Sequence, residues 1–200
     1  MNAPVTLGRV AGVVLAGGRS RRFGSEKAVA RLGDKPLIDR TLAIFERLPS
    51  VAVSAHPDSQ AAARARVTGV AVLPDDPALP SGPLAGVVAG LTWTRKLGLT
   101  ALATAPCDTP LLPQDLVGRL IDEIGAAPAA FAVTEGAEHP LCALWRVNVE
   151  TPLLRALQNG HPPVRSFMRE ISAAAVRFDT PLQFANANTV AALAAMEARA

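Results

Sequence analysis

The chain contains no tyrosine, and its few phenylalanines and tryptophans bring aromatic content to only 4%. Proteins that hold single-stranded nucleic acid usually stack bases on aromatic rings, so that class is disfavoured. Two cysteines, Cys107 and Cys142, and three histidines offer neither zinc-ligand spacing nor a disulfide framework. Buried, unbridged thiols are the expectation. No apolar run approaches the length of a bilayer span, and Met1 to Arg9 lack the layout of a secretory signal. A cytoplasmic protein with no membrane partner is therefore expected. Internal repeats and low-complexity linkers are also missing, and 200 residues at 50% hydrophobic content suit one domain spanning residues 1–200.

What is present is concentrated near the start. Residues 1–40 hold eight of the 20 Lys and Arg residues against three of the 17 Asp and Glu, so the excess behind the +3 net charge is local. Such a local field suits a small anionic ligand better than a nucleic-acid track. Its centre is the run from Val13 through Leu15, Ala16, Gly17 and Gly18 to Arg19, Arg21, Arg22, Phe23, Gly24 and Lys27. An apolar strand stops in two glycines, and the following turn crowds cations that repel one another unless an anion neutralises them. Glycines let backbone N–H groups approach phosphate oxygens. The spacing is not that of the P-loop, because no Ser or Thr follows Lys27, nor that of the dinucleotide fingerprint, because Gly17 and Gly18 are adjacent.

Along the chain, strands are expected at Ala11–Leu15, Val51–Ala55, Val70–Leu73, Thr100–Ala105, Ala129–Val133, Leu141–Arg146 and Ala174–Phe178. Helices should fill the intervals, the first starting at Pro36 and running to about Leu48, with others at Ser59–Arg66, Leu84–Leu97, Gln114–Ile124, Val149–Leu157 and Pro163–Ile171. A last helix follows Asn188 and Thr189, one of which caps it. Glu138, His139 and Pro140 read as a polar turn. The alternation predicts an α/β fold, a Rossmann-like, doubly wound, mostly parallel sheet with helices on both faces. An antiparallel excursion near Ala129–Arg146 would make the sheet mixed.

Three pieces should meet above the strand ends: the glycine loop, the Pro-rich stretch Pro74–Pro83 with Asp75, and Asp108. Cationic loop and carboxylate together describe a metal-bound nucleoside triphosphate, since Mg²⁺ takes one or two carboxylates and completes its shell with phosphate and water. Position alone leaves each residue a simpler role. Asp108 could stabilise the bend before Pro110, Asp75 could be solvated turn chemistry, His139 a surface histidine, and Asn186 or Asn188 a helix cap.

The same residues carry a family resemblance. Leu15-Ala16-Gly17-Gly18 with Arg22, Gly24 and Lys27, then Gly33, Pro36-Leu37, Gly82-Pro83-Leu84-Ala85-Gly86, Pro106-Cys107-Asp108-Thr109-Pro110, His139-Pro140 and Asn186-Ala187-Asn188-Thr189 resemble the molybdenum cofactor guanylyltransferases in order across nearly the whole chain. The opening motif marks the wider nucleotidyltransferases; the later ones narrow the match. The resemblance implies a nucleotidyltransferase (GT-A-like) architecture and transfer of GMP from GTP to molybdenum-molybdopterin, with Mg²⁺ and release of pyrophosphate. It implies that Leu15, Ala16, Gly17, Gly18, Ser54 and Gly82 lie at the nucleotide, that Asp75 reads the guanine side, and that Lys27 contacts phosphates with help from Arg22. Asp108 would bind nucleotide and metal, and Asn186, Asn188 and His139 would face the pterin. Ser54 stands where the family often has Asn, a shorter group that reaches the nucleotide through a water. Phe23 stands where Met is usual, a change of packing.

A phosphate monoester acceptor has a second pKa of about 6, so no general base is required and none is evident. The alternatives are a cytidylyltransferase acting on the same pterin and a non-catalytic cofactor carrier. The first group tends to open with Ala-Ala-Gly and carry Asp-Met-Pro, unlike Leu15-Ala16-Gly17 and Asp108-Thr109-Pro110 here; a carrier needs neither Lys27 nor Asp108. Molybdoenzymes or their chaperones are the expected recipients of product.

Overall fold

The computed structural model describes residues 4–17 and 27–197. Gly18, Arg19, Arg21, Arg22, Phe23 and Gly24, all singled out above, lie outside the described residues. Seven strands form the main sheet: β1 (Val10–Leu15), β4 (Ser50–Ser54), β5 (Ala71–Leu73), β6 (Ala101–Pro106), β7 (Ala129–Thr134), β8 (Ala137–Arg146) and β9 (Ala174–Arg177). Two short strands, β2 (Arg31–Leu32) and β3 (Lys35–Pro36), pair separately as a hairpin. The sheet order is β5-β4-β1-β6-β8-β7-β9. β5, β4, β1 and β6 run parallel; β8 is antiparallel to both β6 and β7, and β9 returns parallel to β7. The mixed, mostly parallel sheet expected from the pattern is the one observed.

The strands alternate between two cores, as the two-residue side-chain period demands. Val10, Val14, Val53, Ala103 and Leu144 face one apolar cluster, while Ala11, Val13, Ala52, Leu102 and Trp145 face the other. Helices α2 (Gln60–Val67) and α4 (Leu116–Glu123) supply the first cluster; α3 (Pro83–Lys96), α5 (Glu150–Gln158) and α6 (Val164–Glu170) supply the second. The small residues at the start of α3 let it settle on the sheet ends. A Cβ on Gly86 would stand 2.5 Å from Ser54 Oγ and 3.1 Å from Leu15 Cδ2.

Two expectations are corrected. Helix α1 spans Leu37–Ala43 only, and Pro36 stands outside it with extended ψ of 149°, paired with Arg31 in the hairpin. Beyond Ala43 the apolar stripe continues inward, with Ile44, Phe45 and Leu48 buried, but on tighter turns such as Phe45 N to Leu42 O. Burial was legible there and backbone pitch was not. Likewise, Glu138-His139-Pro140 is no turn: all three lie within β8. The hairpin reverses earlier, at Gly136 with φ +74°, which glycine adopts without a Cβ penalty. Pro140 is tolerated because the β7–β8 register shifts between Phe131 and Ala132, and no ladder N–H is required of it there.

The terminal helix α7 (Val190–Glu197) is capped by Thr189, whose Oγ1 accepts from Ala192 N at 3.0 Å. Cys107 and Cys142 are buried and outside any disulfide. Among the described residues no helix is long and apolar enough to cross a membrane.

Candidate active site

Chain segments converge above the carboxyl ends of β4, β1 and β6 because hydrogen bonds between these neighbours continue past the strand ends. Ala16 N donates to Ser54 O at 2.9 Å, and Cys107 N donates to Leu15 O at 3.1 Å. Leu15, Ala16 and Gly17 thereby wall one side of a cavity of about 480 Å³, together with Lys27, Cys107 and Asp108. His139, Asn186 and Arg165 also line it.

Its strongest electrostatic feature is a shared ammonium. Lys27, in a short 3-10 turn, donates to Asp108 Oδ2 at 2.9 Å and to Asn188 Oδ1 at 2.6 Å. The side chains of Lys27 and Asp108 are only 10% and 27% exposed, so the pair is shielded from water yet open toward the cavity. Desolvated, charge-assisted bonds of this kind are stronger than surface ion pairs. The bend after β6 is closed by Thr109, whose Oγ1 donates to Pro106 O at 2.9 Å, so the Asp108 carboxylate is not spent on the turn. Asp108 instead ties down the C-terminal segment through its backbone, accepting from Ala187 N at 2.8 Å.

Asp75, Ser54 and Gly82 stand beside this cavity and not on its wall. Ser54 Oγ, buried, donates to Asp75 Oδ1 at 3.4 Å. Asp75 Oδ2 lies 4.0 Å from where a Cβ on Gly17 would be, which places the carboxylate over the glycine turn. Burial pushes the Asp75 carboxyl above its usual range, and the Ser54 hydroxyl partly offsets this. Gly82, at φ +153°, caps α3 and is packed under His161: an added Cβ would stand 2.3 Å from the imidazole Nε2. Asn188 reaches the cavity through Lys27.

On the other side, His139 stacks on Phe184 with ring centroids 4.7 Å apart at 28°, and its Nε2 meets Thr134 Oγ1 at 2.9 Å. Burial, reinforced by the Arg165 charge, holds the imidazole below the usual histidine range. Arg165 is fixed by Glu138, with Nε 3.6 Å from Oε2. Burial, with the nearby Asp108 charge adding to it, raises the Cys142 thiol far above its ordinary value, which leaves it unreactive. Arg165, Thr134 and Phe184 were not found from sequence. They come from three distant segments without motif spacing, and nothing local marks any of them.

Among the described residues no group of three or more His, Cys, Asp or Glu side chains could cage a metal. Of the two described acidic residues lining the cavity, Glu138 is paired with Arg165, and the Asp108 carboxylate fits a divalent cation that arrives with its own phosphate ligands and does not fit a resident, protein-caged ion.

Comparison with known proteins gives the same picture. A curated relative from Rhodobacter capsulatus, named molybdenum cofactor guanylyltransferase, is 43% identical over 193 residues, covering 96% of each chain. One of the same name from Cereibacter sphaeroides is 41% identical, covering 94% of this chain and 96% of that one. In fold, the chain is similar to the crystal structure of molybdopterin-guanine dinucleotide biosynthesis protein A from Archaeoglobus fulgidus, with a TM-score of 0.75 at 20% identity, covering 94% of this chain and 97% of that one. The family described as the MobA-like NTP transferase domain matches residues 12–176, and this chain, a nucleotidyltransferase, belongs to it.

Proposed function

We propose that this chain transfers GMP from GTP to molybdenum-molybdopterin, forming the guanine dinucleotide cofactor and releasing pyrophosphate. The observation that carries the reading is the Lys27–Asp108 pair on the wall of a cavity that His139 and Asn186 also line, in a chain whose relatives bear the guanylyltransferase name.

In this reading Leu15, Ala16, Gly17 and Gly18 cradle the nucleotide, with Asp75 and Ser54 on the guanine side and Gly82 permitting close approach. An oxygen of the acceptor phosphate forms a bond to the α-phosphorus as the bond to pyrophosphate breaks. Because the acceptor is already largely anionic near neutral pH, with a second pKa of about 6, no base need take a proton. The barrier is the approach of two anions and the charge gathering on pyrophosphate. Lys27, aided by Arg22, neutralises that charge, while the cavity walls position the reactants. Asp108 would hold Mg²⁺, which when bound polarises phosphate oxygens as a Lewis acid. Asn186, Asn188 and His139 orient the pterin. In the free protein Lys27 pairs with Asp108 itself, so the two charges compensate each other until nucleotide arrives.

The reading extends to one nucleotidyltransferase domain over residues 1–200, a cytoplasmic location, and molybdoenzymes or their chaperones as recipients. Its test is pyrophosphate release with molybdenum-loaded pterin and Mg²⁺, comparing GTP with CTP, ATP and UTP. Strong preference for GTP is expected. Preference for CTP would reassign the nucleotide, and binding without release would point to a carrier.

A further inference from the structure

His139 projects from the one irregular part of the β7–β8 ladder, where register slips between Phe131 and Ala132. It still pairs with Ala132, which fixes its backbone but not the rotation of its ring. Two neighbours set that rotation. Thr134, buried at the end of β7, exchanges a hydrogen bond with Nε2 at 2.9 Å, and the Phe184 ring covers the imidazole at 4.7 Å in a near-parallel stack. Phe184 is only 2% exposed and is backed by Phe178 at 5.1 Å, over which the Arg119 guanidinium lies 4.1 Å from the centroid. A row of four groups thus runs from the cavity to α4.

Phe184 also ends the 3-10 turn Pro181–Phe184, from which the chain leaves in extended conformation at Ala185. Three residues on, Ala187 is fully buried and its N–H is bound to Asp108 O. Asn186, on the cavity wall, lies between these two anchors, and Asn188 follows the second.

We infer that Thr134 and Phe184 are positioning residues for the acceptor: together they orient the His139 imidazole toward the cavity, and Phe184 also sets the course of the segment carrying Asn186 and Asn188. This deepens the functional reading above and rests on it. The lowered pKa of His139 agrees with the geometry, since a neutral imidazole has one donor and one acceptor nitrogen. With Nε2 committed to Thr134, Nδ1 is the atom offered to a flat nitrogen heterocycle.

The experiment pairs kinetics with proton resonances of the histidine rings in the full chain, His139 being assigned by its disappearance in His139→Gln. Phe184→Leu should move the His139 ring protons downfield as the stacked ring current is lost. It should raise the acceptor KM about tenfold, in proportion to what such stacking contributes, with GTP KM unchanged and kcat within about twofold. Thr134→Val, nearly isosteric and so expected to fold even where Phe184→Leu does not, should raise the acceptor KM about fivefold, the worth of one hydrogen bond. An unmoved His139 resonance in Phe184→Leu, an unchanged acceptor KM in Thr134→Val, or equal rises in both KM values would overturn the proposal. Absence of pyrophosphate release by the wild type would instead sink the functional reading, and the resonance shift would then judge the placement of His139 alone.

Discussion

The two sides of the cavity are built from different chemistry. The side at the ends of β1 and β6 is ionic, with Lys27 held between Asp108 and Asn188 at 2.9 and 2.6 Å. The side at β8 and the C-terminal segment is aromatic, with His139 stacked on Phe184 and bonded to Thr134, and its charges, Arg165 and Glu138, are paired with each other. A triphosphate is recognised mainly by charge, which tolerates modest displacement, whereas a flat heterocycle is recognised by directional contacts, which do not. The difference implies that ionic-side changes act on rate and aromatic-side changes on acceptor affinity.

The sharpest way to break that division is Asp108→Ala. It should lower pyrophosphate release about a thousandfold or more while circular dichroism stays native; near-normal turnover with Mg²⁺ would remove Asp108 from the ionic side. Lys27→Ala should cost on the order of a hundredfold in kcat, the scale of losing one charge-stabilising donor, and a merely twofold loss would make the loop structural. Asn188 belongs to the C-terminal segment yet bonds Lys27, so Asn188→Ala sharpens the comparison. Losing a hydrogen bond to a charged partner should cost roughly tenfold, split between kcat through Lys27 and acceptor KM; a loss in only one parameter would assign Asn188 to that side.

The smallest effect lies away from the cavity, at Glu150. Burial pulls its carboxyl up, but hydrogen bonds from Arg95 at 2.7 Å and Thr92 at 2.6 Å outweigh this and hold it below the ordinary 4.5. A lowered folded pKa adds stability that is complete above the unfolded value and disappears as pH falls through the folded one. Acid unfolding below about pH 4.5 should therefore be shallower in Glu150→Gln, with turnover at pH 7 unaltered; an identical acid limb would show that the pair adds nothing.

The ionic side was the more legible from sequence, because its determinants are local. An apolar run ending in Gly17 and Gly18 and a carboxylate just past β6 each announce themselves within a few residues. Their meeting follows from β1 and β6 being parallel neighbours; the alternation of strands and helices foretold a mostly parallel sheet but not that pairing. The aromatic side depends on long-range pairing. His139 was read as part of a turn and Thr134 fell just outside the expected strand, since nothing local reveals that Gly136 makes the reversal and that Pro140 sits at a register slip. Arg165 and Phe184 reach the site from elements whose periodicity speaks only of burial. The end of α1 failed for a similar reason: Phe45 packs so near Gly12 that a Cβ there would be 2.6 Å from its ring, a contact that tertiary packing sets and helix propensity does not.

The reversed direction of β8 has a positional consequence. A parallel strand delivers only the loop that follows it to the rim where ligands bind. An antiparallel strand delivers its own beginning, so that Glu138 and His139 stand at the rim while paired with Val133 and Ala132, and Leu141 O, within the register slip, accepts from Thr104 Oγ1 at 2.8 Å. One face of the cavity is thus part of the sheet itself, and the acceptor-side His139 is placed by a strand instead of a connecting loop.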